Sequence, residues 1–234
     1  MNNRHLKIEK VIPNKPCLNI KIYILCHNNF IFENIIKIYE KYKWACPILM
    51  KYQDATFENA FWKQLLEIQE DWENCDMVGT LSSISYLKLD LEKVNKIILE
   101  TNEECNFFHF LESNSNVSIL NIKLQHPNFN IIWKNIIENL KLNDCKESYC
   151  NYWMCKPKYM KQFIDWYLNI ELPIVINHPL IMTNSKYNGY LNNNQLQKLC
   201  GVPYYPILPF VLERLNPCYF YNLLDNLKIK NNLD

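Results

Sequence analysis

Residues 21 to 52 read KIYILCHNNFIFENIIKIYEKYKWACPILMKY and contain two apolar runs separated by an amphipathic segment. The first run, residues 21 to 27, is rich in β-branched and aromatic side chains, which predicts a buried strand. Residues 30 to 43 carry apolar side chains at helical spacing, and residues 46 to 52 predict a second strand. The segment therefore predicts a β-α-β unit.

The same alternation continues along the chain. Residues 57 to 72 place four apolar side chains on one helical face, and residues 76 to 79 predict a short strand with Gly79 where the chain leaves the sheet and turns. Further elements are predicted as helix 90 to 100, strand 107 to 111, helix 128 to 141, and helices at 158 to 168, 195 to 200 and 211 to 224. This alternation predicts an α/β fold with a central mixed sheet flanked by helices.

Composition and charge narrow the class of protein. Of 234 residues, 49% are hydrophobic and 14% aromatic, which is typical of a globular chain with a substantial core. The formal net charge is +1, so no strong field exists to hold a polyanion, and we expect no nucleic-acid partner. No long repeat or Ser/Gly-rich linker divides the chain, so we expect one domain over residues 1 to 234.

Glycine and cysteine usage excludes further classes. The three glycines, Gly79, Gly189 and Gly201, lie too far apart for a G-x-G-x-x-G or P-loop nucleotide motif. Ten cysteines without an N-terminal apolar signal segment are expected to be reduced thiols in a cytoplasmic protein. No apolar run reaches the roughly 20 residues that span a bilayer, so we expect no transmembrane segment.

Polar residues follow each of the first three predicted strands. They occupy residues 27 to 29, 53 to 56 and 79 to 85. Because ligands of open α/β sheets bind outside the carboxyl ends of strands, these positions predict a site for a polar ligand. Ordinary surface loops are the alternative explanation.

Five segments that occur in order carry a family resemblance. They are FENAFW (57 to 62), W-x3-DMVGTLS (72 to 82), HPNF (126 to 129), YCNYWMCKPKYM (149 to 160) and PYYPILPFVLERLNPCYF (203 to 220). Together they resemble a group of small GT-A-type glycosyltransferases found in giant viruses and in bacterial polysaccharide clusters. The resemblance extends over residues 21 to 224.

The resemblance implies a GT-A-like, nucleotide-sugar-binding single domain. Residues 1 to 112 would bind a nucleotide-sugar donor, expected to be UDP-linked, and residues 113 to 234 a glycan or glycoprotein acceptor. The activity implied is sugar transfer for glycan biosynthesis, in the host cytoplasm if the chain is viral, with inversion or retention undecided. A non-catalytic nucleotide- or sugar-binding relative of the same fold is the alternative.

The donor would contact residues that follow the first strands. The expected set is His27, Asn28, Asp54, Glu58, Asn59, Gly79, Thr80, Ser82, Ser83, Lys88 and Arg214. The first two would contact the base or ribose, whereas the hydroxyls, Lys88 and Arg214 would neutralise the diphosphate. Acidic and amide residues also favour a first helical turn, which explains Glu58 and Asn59 equally well.

A bound metal is an open question at the sequence level. Enzymes of this group usually carry an acidic D-x-D motif that holds a divalent cation on the diphosphate, and this chain contains none. Mn2+ or Mg2+ could still bind through one carboxylate and the phosphates, because such ions often use few protein ligands. The metal ligands therefore stay unknown.

Catalytic and acceptor-binding residues are expected in the second half. Tyr149, Asn151 and Trp153 would face one way in an extended segment and offer aromatic surface beside an amide, which suits a sugar. His126, Glu213 and Asn151 are the candidate catalytic residues. Each has a structural alternative. Asn151 could lie in a core strand, His126 could cap a helix, and Glu213 could form a buried charge pair with Arg214.

Overall fold

The computed structural model describes residues 18 to 111, 126 to 143 and 150 to 231, with the backbone alone described from residue 224 onward. Within these ranges, five strands form one mixed sheet in the order β2-β1-β3-β5-β4. They are β1 (Ile20–Cys26), β2 (Ala45–Leu49), β3 (Met77–Ser82), β4 (Phe107–His109) and β5 (Trp153–Cys155). β1 is parallel to β2 and β3, whereas β5 is antiparallel to β3 and β4.

Helices cover both faces of the sheet. In chain order they are α1 (Asn29–Tyr39), α2 (Phe61–Glu67), α3 (Gln69–Trp72), α4 (Leu91–Glu100), α5 (Phe129–Leu140), α6 (Pro157–Trp166), α7 (Leu172–Ile176), α8 (Asn193–Cys200) and α9 (Leu208–Asn231). Short 3-10 helices lie at Phe57–Ala60 and Ser85–Leu87, and a π-helical turn at Tyr167–Glu171 joins α6 to α7. The predicted α/β class with a mixed sheet flanked by helices is confirmed.

The alternation of β1 separates two apolar cores. Ile22 and Ile24 pack on one face of the sheet with α1 and α4. Tyr23 and Leu25 pack on the other face with α2, α5, α6 and α9. Each fully buried large side chain contributes about 1.5 to 3 kcal/mol of transfer free energy. The cores hold the sheet rigid, so the loops at its carboxyl edge have fixed starting points.

The structure corrects the expected turn at Gly79. β3 continues through Gly79 and Thr80 to Ser82, so these residues belong to a strand. A Cβ on Gly79 would lie 2.3 Å from the carbonyl oxygen of Trp153 and 2.7 Å from Cβ of Met154. Glycine is therefore required because β5 approaches closely at this point. Thr80 is fully buried, and its hydroxyl donates to the carbonyl of Asn151 at 2.8 Å.

The helix ends explain another part of the sequence. The Asn28 side chain accepts a hydrogen bond from the backbone N–H of Ile31 at 2.9 Å and caps α1. The core strand that was the structural alternative for the segment around Asn151 and Trp153 is present as β5, whereas the π-helical turn was not predicted from the sequence. In the parts of the chain that the structure describes, no helix is long and apolar enough to cross a membrane.

Candidate functional site

A cavity of about 310 Å³ opens at the carboxyl ends of β1 and β3. The chain leaves β1 toward β2 at one edge of the sheet, whereas it leaves β3 toward β4 at the opposite edge. Open α/β sheets bind ligands where neighbouring connections diverge in this way. The polar lining of the cavity consists of His27, Glu58, Ser82, Ser83, Lys88 and Glu213. The aromatic lining consists of Phe57, Tyr152, Tyr187, Tyr190, Tyr205 and Phe210.

Two carboxyl groups meet in this cavity from distant parts of the chain. Glu58 comes from the 3-10 helix after β2, and Glu213 from the second turn of α9. Burial raises the pKa of Glu58 to about 8, with a further contribution from the charge of Glu213. Burial likewise raises the pKa of Glu213, although Arg214, Lys88 and the backbone N–H of Cys150 favour its charged form. Glu58 therefore keeps its proton near neutral pH, because burial and the charge of Glu213 both oppose its ionisation.

Lys88 supplies the positive charge of the cavity. Its Nζ lies 3.8 Å from Sγ of Cys150 and 5.4 Å from the ring centroid of Tyr152. Burial lowers the pKa of Lys88, but attraction to Cys150, Glu213 and Glu58 outweighs this effect and raises the pKa overall. The ammonium group therefore stays charged and available to an anionic ligand.

The ends of β1 and β3 complete the polar lining. The hydroxyls of Ser82 and Tyr152 form a hydrogen bond of 2.5 Å. The backbone N–H of Ser83 donates to the carbonyl of Leu25 at 3.1 Å. His27 Nε2 lies 4.0 Å from a carboxyl oxygen of Glu58, and burial lowers the pKa of this histidine. These groups provide hydroxyls and a neutral imidazole beside the carboxyl pair.

Two asparagines of the predicted site lie in the core instead. Asn59 and Asn151 are at most 1% exposed and form a hydrogen-bonded network with Asn216, which is fully buried. The Asn216 side-chain N–H group donates to Asn59 at 2.8 Å and to Asn151 at 2.7 Å, and Asn151 donates to Asn59 at 3.1 Å. The expected catalytic and acceptor contacts of Asn151 are therefore not formed in the cavity. Sequence reasoning missed Asn216, although an amide on an apolar helix face was a usable signal.

Two predicted donor-binding residues lie outside the cavity because they stabilise local structure. Asp54 is exposed, and its carboxylate accepts from the backbone N–H and the hydroxyl of Thr56 at 2.7 and 2.5 Å. This is an Asx-type turn, which shapes the loop after β2. Asn28 caps α1 as described above. Neither side chain lines the cavity.

His126 and Arg214 pack beside the cavity but do not line it. The His126 ring is 3% exposed, and its centroid lies 4.2 Å from that of Phe210. Burial and the nearby Arg214 lower the pKa of His126 to about 4, so the ring is neutral near pH 7. Arg214 donates to the Phe210 carbonyl at 2.6 Å and places its guanidinium 5.1 Å from the Phe129 ring centroid. The structure thus does not place either residue where a base or a diphosphate contact was expected.

The expected aromatic acceptor surface is also placed differently. Trp153 is fully buried and stacks on Trp62 at 5.2 Å between ring centroids, so it belongs to the core. Tyr149 lies outside the described residues. The aromatic lining of the cavity comes instead from tyrosines such as Tyr187 and Tyr190, which sequence reasoning missed. Their signal was a pair of aromatic residues in an otherwise polar segment, SKYNGYLNNN.

A metal site is not preformed by the side chains. Within residues 18 to 111, 126 to 143 and 150 to 231, no three His, Cys, Asp or Glu residues converge in a way that could hold a metal ion. Among the described residues, two carboxyl groups line the cavity, those of Glu58 and Glu213. They share it with the charged Lys88. This donor set does not fit a resident metal, so no chemical step below passes through one. Binding of Mn2+ or Mg2+ together with a ligand's phosphates stays a prediction.

Comparison of the chain with protein-family models, with curated proteins and with solved structures found no match. The resemblance carried by the five sequence segments therefore stays a hypothesis. The cavity itself, the chemistry of its lining and its position in the sheet are the features that bear on function.

Proposed function

We propose that the protein is a GT-A-like glycosyltransferase that moves a sugar from a nucleotide-sugar donor, UDP-linked in the first instance, to a hydroxyl of a glycan acceptor. The observation that carries the proposal is the convergence of Glu58, Glu213 and Lys88 in one aromatic-lined cavity. Perturbed carboxyl groups in a cleft are typical of sites that move protons. The position of the cavity at the carboxyl edge of a mixed sheet supports the same function.

The donor end of the proposed reaction needs stabilisation of a departing diphosphate. Lys88 provides a charge, and Ser82 and Ser83 provide hydroxyls at the end of β3. Hydrogen bonds from charged donors to phosphate oxygens are stronger than neutral ones. Groups that are already fixed before the charge develops lower the barrier of the reaction most effectively. Lys88 is therefore the residue on which donor binding depends most.

The acceptor end needs a base. Glu213 is the better candidate, because Arg214, Lys88 and the Cys150 N–H all favour its ionised form. Glu58 keeps its own proton near neutral pH, because its pKa is about 8. In the step proposed, the acceptor oxygen bonds to the anomeric carbon and its proton passes to Glu213. The bond from that carbon to the diphosphate breaks, and the nucleoside diphosphate leaves with the electron pair.

Nucleotide release from a panel of nucleotide sugars tests the proposal. UDP-, GDP- and CMP-linked sugars are incubated with the protein, with and without Mn2+ or Mg2+, and released nucleotide is quantified together with the melting temperature. We expect release from at least one donor, and a thermal shift by that donor, since a ligand that binds the folded state stabilises it. Lys88→Ala should abolish the shift.

Lys134→Ala is the matched control, because Lys134 is 79% exposed on α5 and pairs with Glu138 at 3.9 Å, outside the cavity. This variant should keep both the shift and the release. A thermal shift without release from any donor would instead assign the non-catalytic nucleotide- or sugar-binding role. The absence of both effects for every donor would refute the proposal.

A further inference from the structure

A loop that contributes to the cavity is held near both of its ends by hydrogen bonds to Tyr205. We call residues 183 to 191 the strap. The backbone N–H of Ser185 donates to the carbonyl of Tyr205 at 2.9 Å, and the backbone N–H of Leu191 donates to the hydroxyl of the same tyrosine at 2.9 Å. One residue of the adjacent segment thus holds both ends of the strap, so the strap has a defined position before any ligand binds.

Glycine is required at the tip of the strap. A Cβ on Gly189 would lie 2.3 Å from the hydroxyl oxygen of Tyr205 and 2.4 Å from its ring carbon Cζ. The ring cannot easily retreat, because it stacks on Phe57 at 5.7 Å and meets Tyr187 edge-on at 5.2 Å between centroids. A chain with three glycines therefore uses one of them to seat this loop closely.

The strap carries two aromatic rings that line the cavity and remain accessible. Tyr190 is 73% exposed and Tyr187 is 41% exposed, whereas Tyr205 beneath them is 7% exposed. An accessible tyrosine ring on a fixed loop offers a flat apolar surface at little entropic cost of binding. Tyr190 lines the same cavity as Glu58 and Glu213, so an accessible aromatic ring and the two carboxyl groups share one site.

We infer that the strap is a carbohydrate-binding subsite, in which the ring of Tyr190 packs against the C–H face of a hexose of the acceptor. A pyranose has an apolar C–H face and polar edges, which matches an aromatic ring beside carboxyl groups. The hexose is assigned to the acceptor because Tyr190 lies at the accessible part of the cavity, whereas Lys88 and the serines at the end of β3 suit a diphosphate. Assignment of this hexose to the acceptor rests on the proposed function, whereas the sugar-binding site itself does not.

Saturation-transfer NMR with methyl α- and β-hexosides tests the subsite without requiring turnover, and UMP is measured separately as a nucleotide probe. We expect the wild-type protein to saturate the ring C–H protons of at least one methyl hexoside. Tyr190→Ala should weaken that binding about tenfold, because an aromatic surface is removed, whereas Tyr190→Phe keeps it. Gly189→Ala should give the same loss as Tyr190→Ala by displacing the strap. UMP binding should not change in any of these variants.

Tyr86→Ala is the control, because Tyr86 is 38% exposed in the 3-10 helix Ser85–Leu87 and does not line the cavity. The inference is overturned if no methyl hexoside is saturated by the wild-type protein, or if Tyr190→Ala leaves hexoside binding intact. It is also overturned if that variant weakens UMP instead, since the ring would then hold a nucleobase. A protein that binds hexosides at Tyr190 but releases no nucleotide would refute the proposed transfer and keep the subsite.

Discussion

Two sets of polar side chains come from the same three chain segments and have opposite surroundings. Glu58, Cys150 and Glu213 line the cavity. Their neighbours Asn59, Asn151 and Asn216 turn into the core and hydrogen-bond to one another. Glu58 and Glu213 are half-buried, whereas the three asparagines are at most 1% exposed. The distinction is whether the polar atoms face open space or already have protein partners.

The members of the two sets are also close neighbours along the chain. Glu58 and Cys150 each directly precede an asparagine of the network, and Glu213 lies one helical turn before Asn216 on α9. The network fixes the separation of three segments that have no regular pairing with each other. Cys150 adds a strained element, because its φ is +69°. We therefore expect the asparagines to act as positioning residues for the carboxyl pair.

Glu213→Gln should have the largest effect, and the effect should be on chemistry. The amide has the same shape but cannot accept a proton, so the rate of sugar transfer should fall about 100- to 10,000-fold. The free energy of unfolding should stay equal or rise, because burial no longer opposes a charge. Both are measured on one preparation, with Glu138→Gln on the exposed face of α5 as the control. Transfer at the wild-type rate would remove Glu213 from the mechanism.

Asn216→Ala should first of all lower the free energy of unfolding. The change removes the donor to Asn59 and Asn151; Asn59 still accepts from Asn151, but the buried amide oxygen of Asn151 is left unsatisfied, at a cost of about 1 to 3 kcal/mol. Urea unfolding measures the loss. If the network positions the carboxyl pair, kcat should also fall at temperatures where the variant is fully folded, whereas KM for the donor should change little. Unchanged kcat in the folded variant would make the network purely structural.

Much of the fold was predictable because its signals are local. Hydrophobic periodicity located β1, α1, β2, α4, β4 and α5 within a few residues of their observed bounds. The incorrect predictions lie where contacts between residues far apart in the sequence determine the structure. Gly79 resembled a turn signal, but it serves the approach of β5, which lies over 70 residues later. β5 itself is only Trp153–Cys155, too short to show a period of two.

The site was predictable only in part, for the same reason. Residues that follow strands, such as His27, Ser82 and Ser83, are brought to the carboxyl edge by the topology alone. The orientation of a side chain within one segment is set by tertiary packing, so Glu58 could not be separated from Asn59 by sequence. Tyr190 depends on the fastening of the strap by Tyr205, a contact that no local pattern indicates.

Glu171 provides a third case, a buried carboxyl without a cavity. It lies in the π-helical turn, is fully buried, and neither carboxyl oxygen has a hydrogen-bond partner within the described ranges. Burial raises its pKa well above the usual value. Glu171→Leu should therefore raise the free energy of unfolding by about 1 to 3 kcal/mol, because an unsatisfied polar group is removed. Activity should stay unchanged. Destabilisation in urea unfolding would show that the carboxyl has a partner after all.

The smallest expected effect is a change in the pH dependence of stability when Lys88 is removed. We expect it for Glu58, which lines the cavity together with Lys88, and not for the buried Glu171. The pKa of Glu58 is raised from 4.5 to about 8, so between these values the folded protein binds more protons than the unfolded chain. The stability that protonated Glu58 contributes is complete below pH 4.5 and is lost as the pH rises to about 8. The difference in unfolding free energy between wild type and Glu58→Gln should follow this course in urea titrations from pH 5 to 9. Because Lys88 lowers the pKa of Glu58, Lys88→Ala should move the loss to higher pH, whereas the difference measured with Glu171→Gln should not shift. Equal shifts of both differences would mean that Lys88 acts through the whole protein rather than within the cavity.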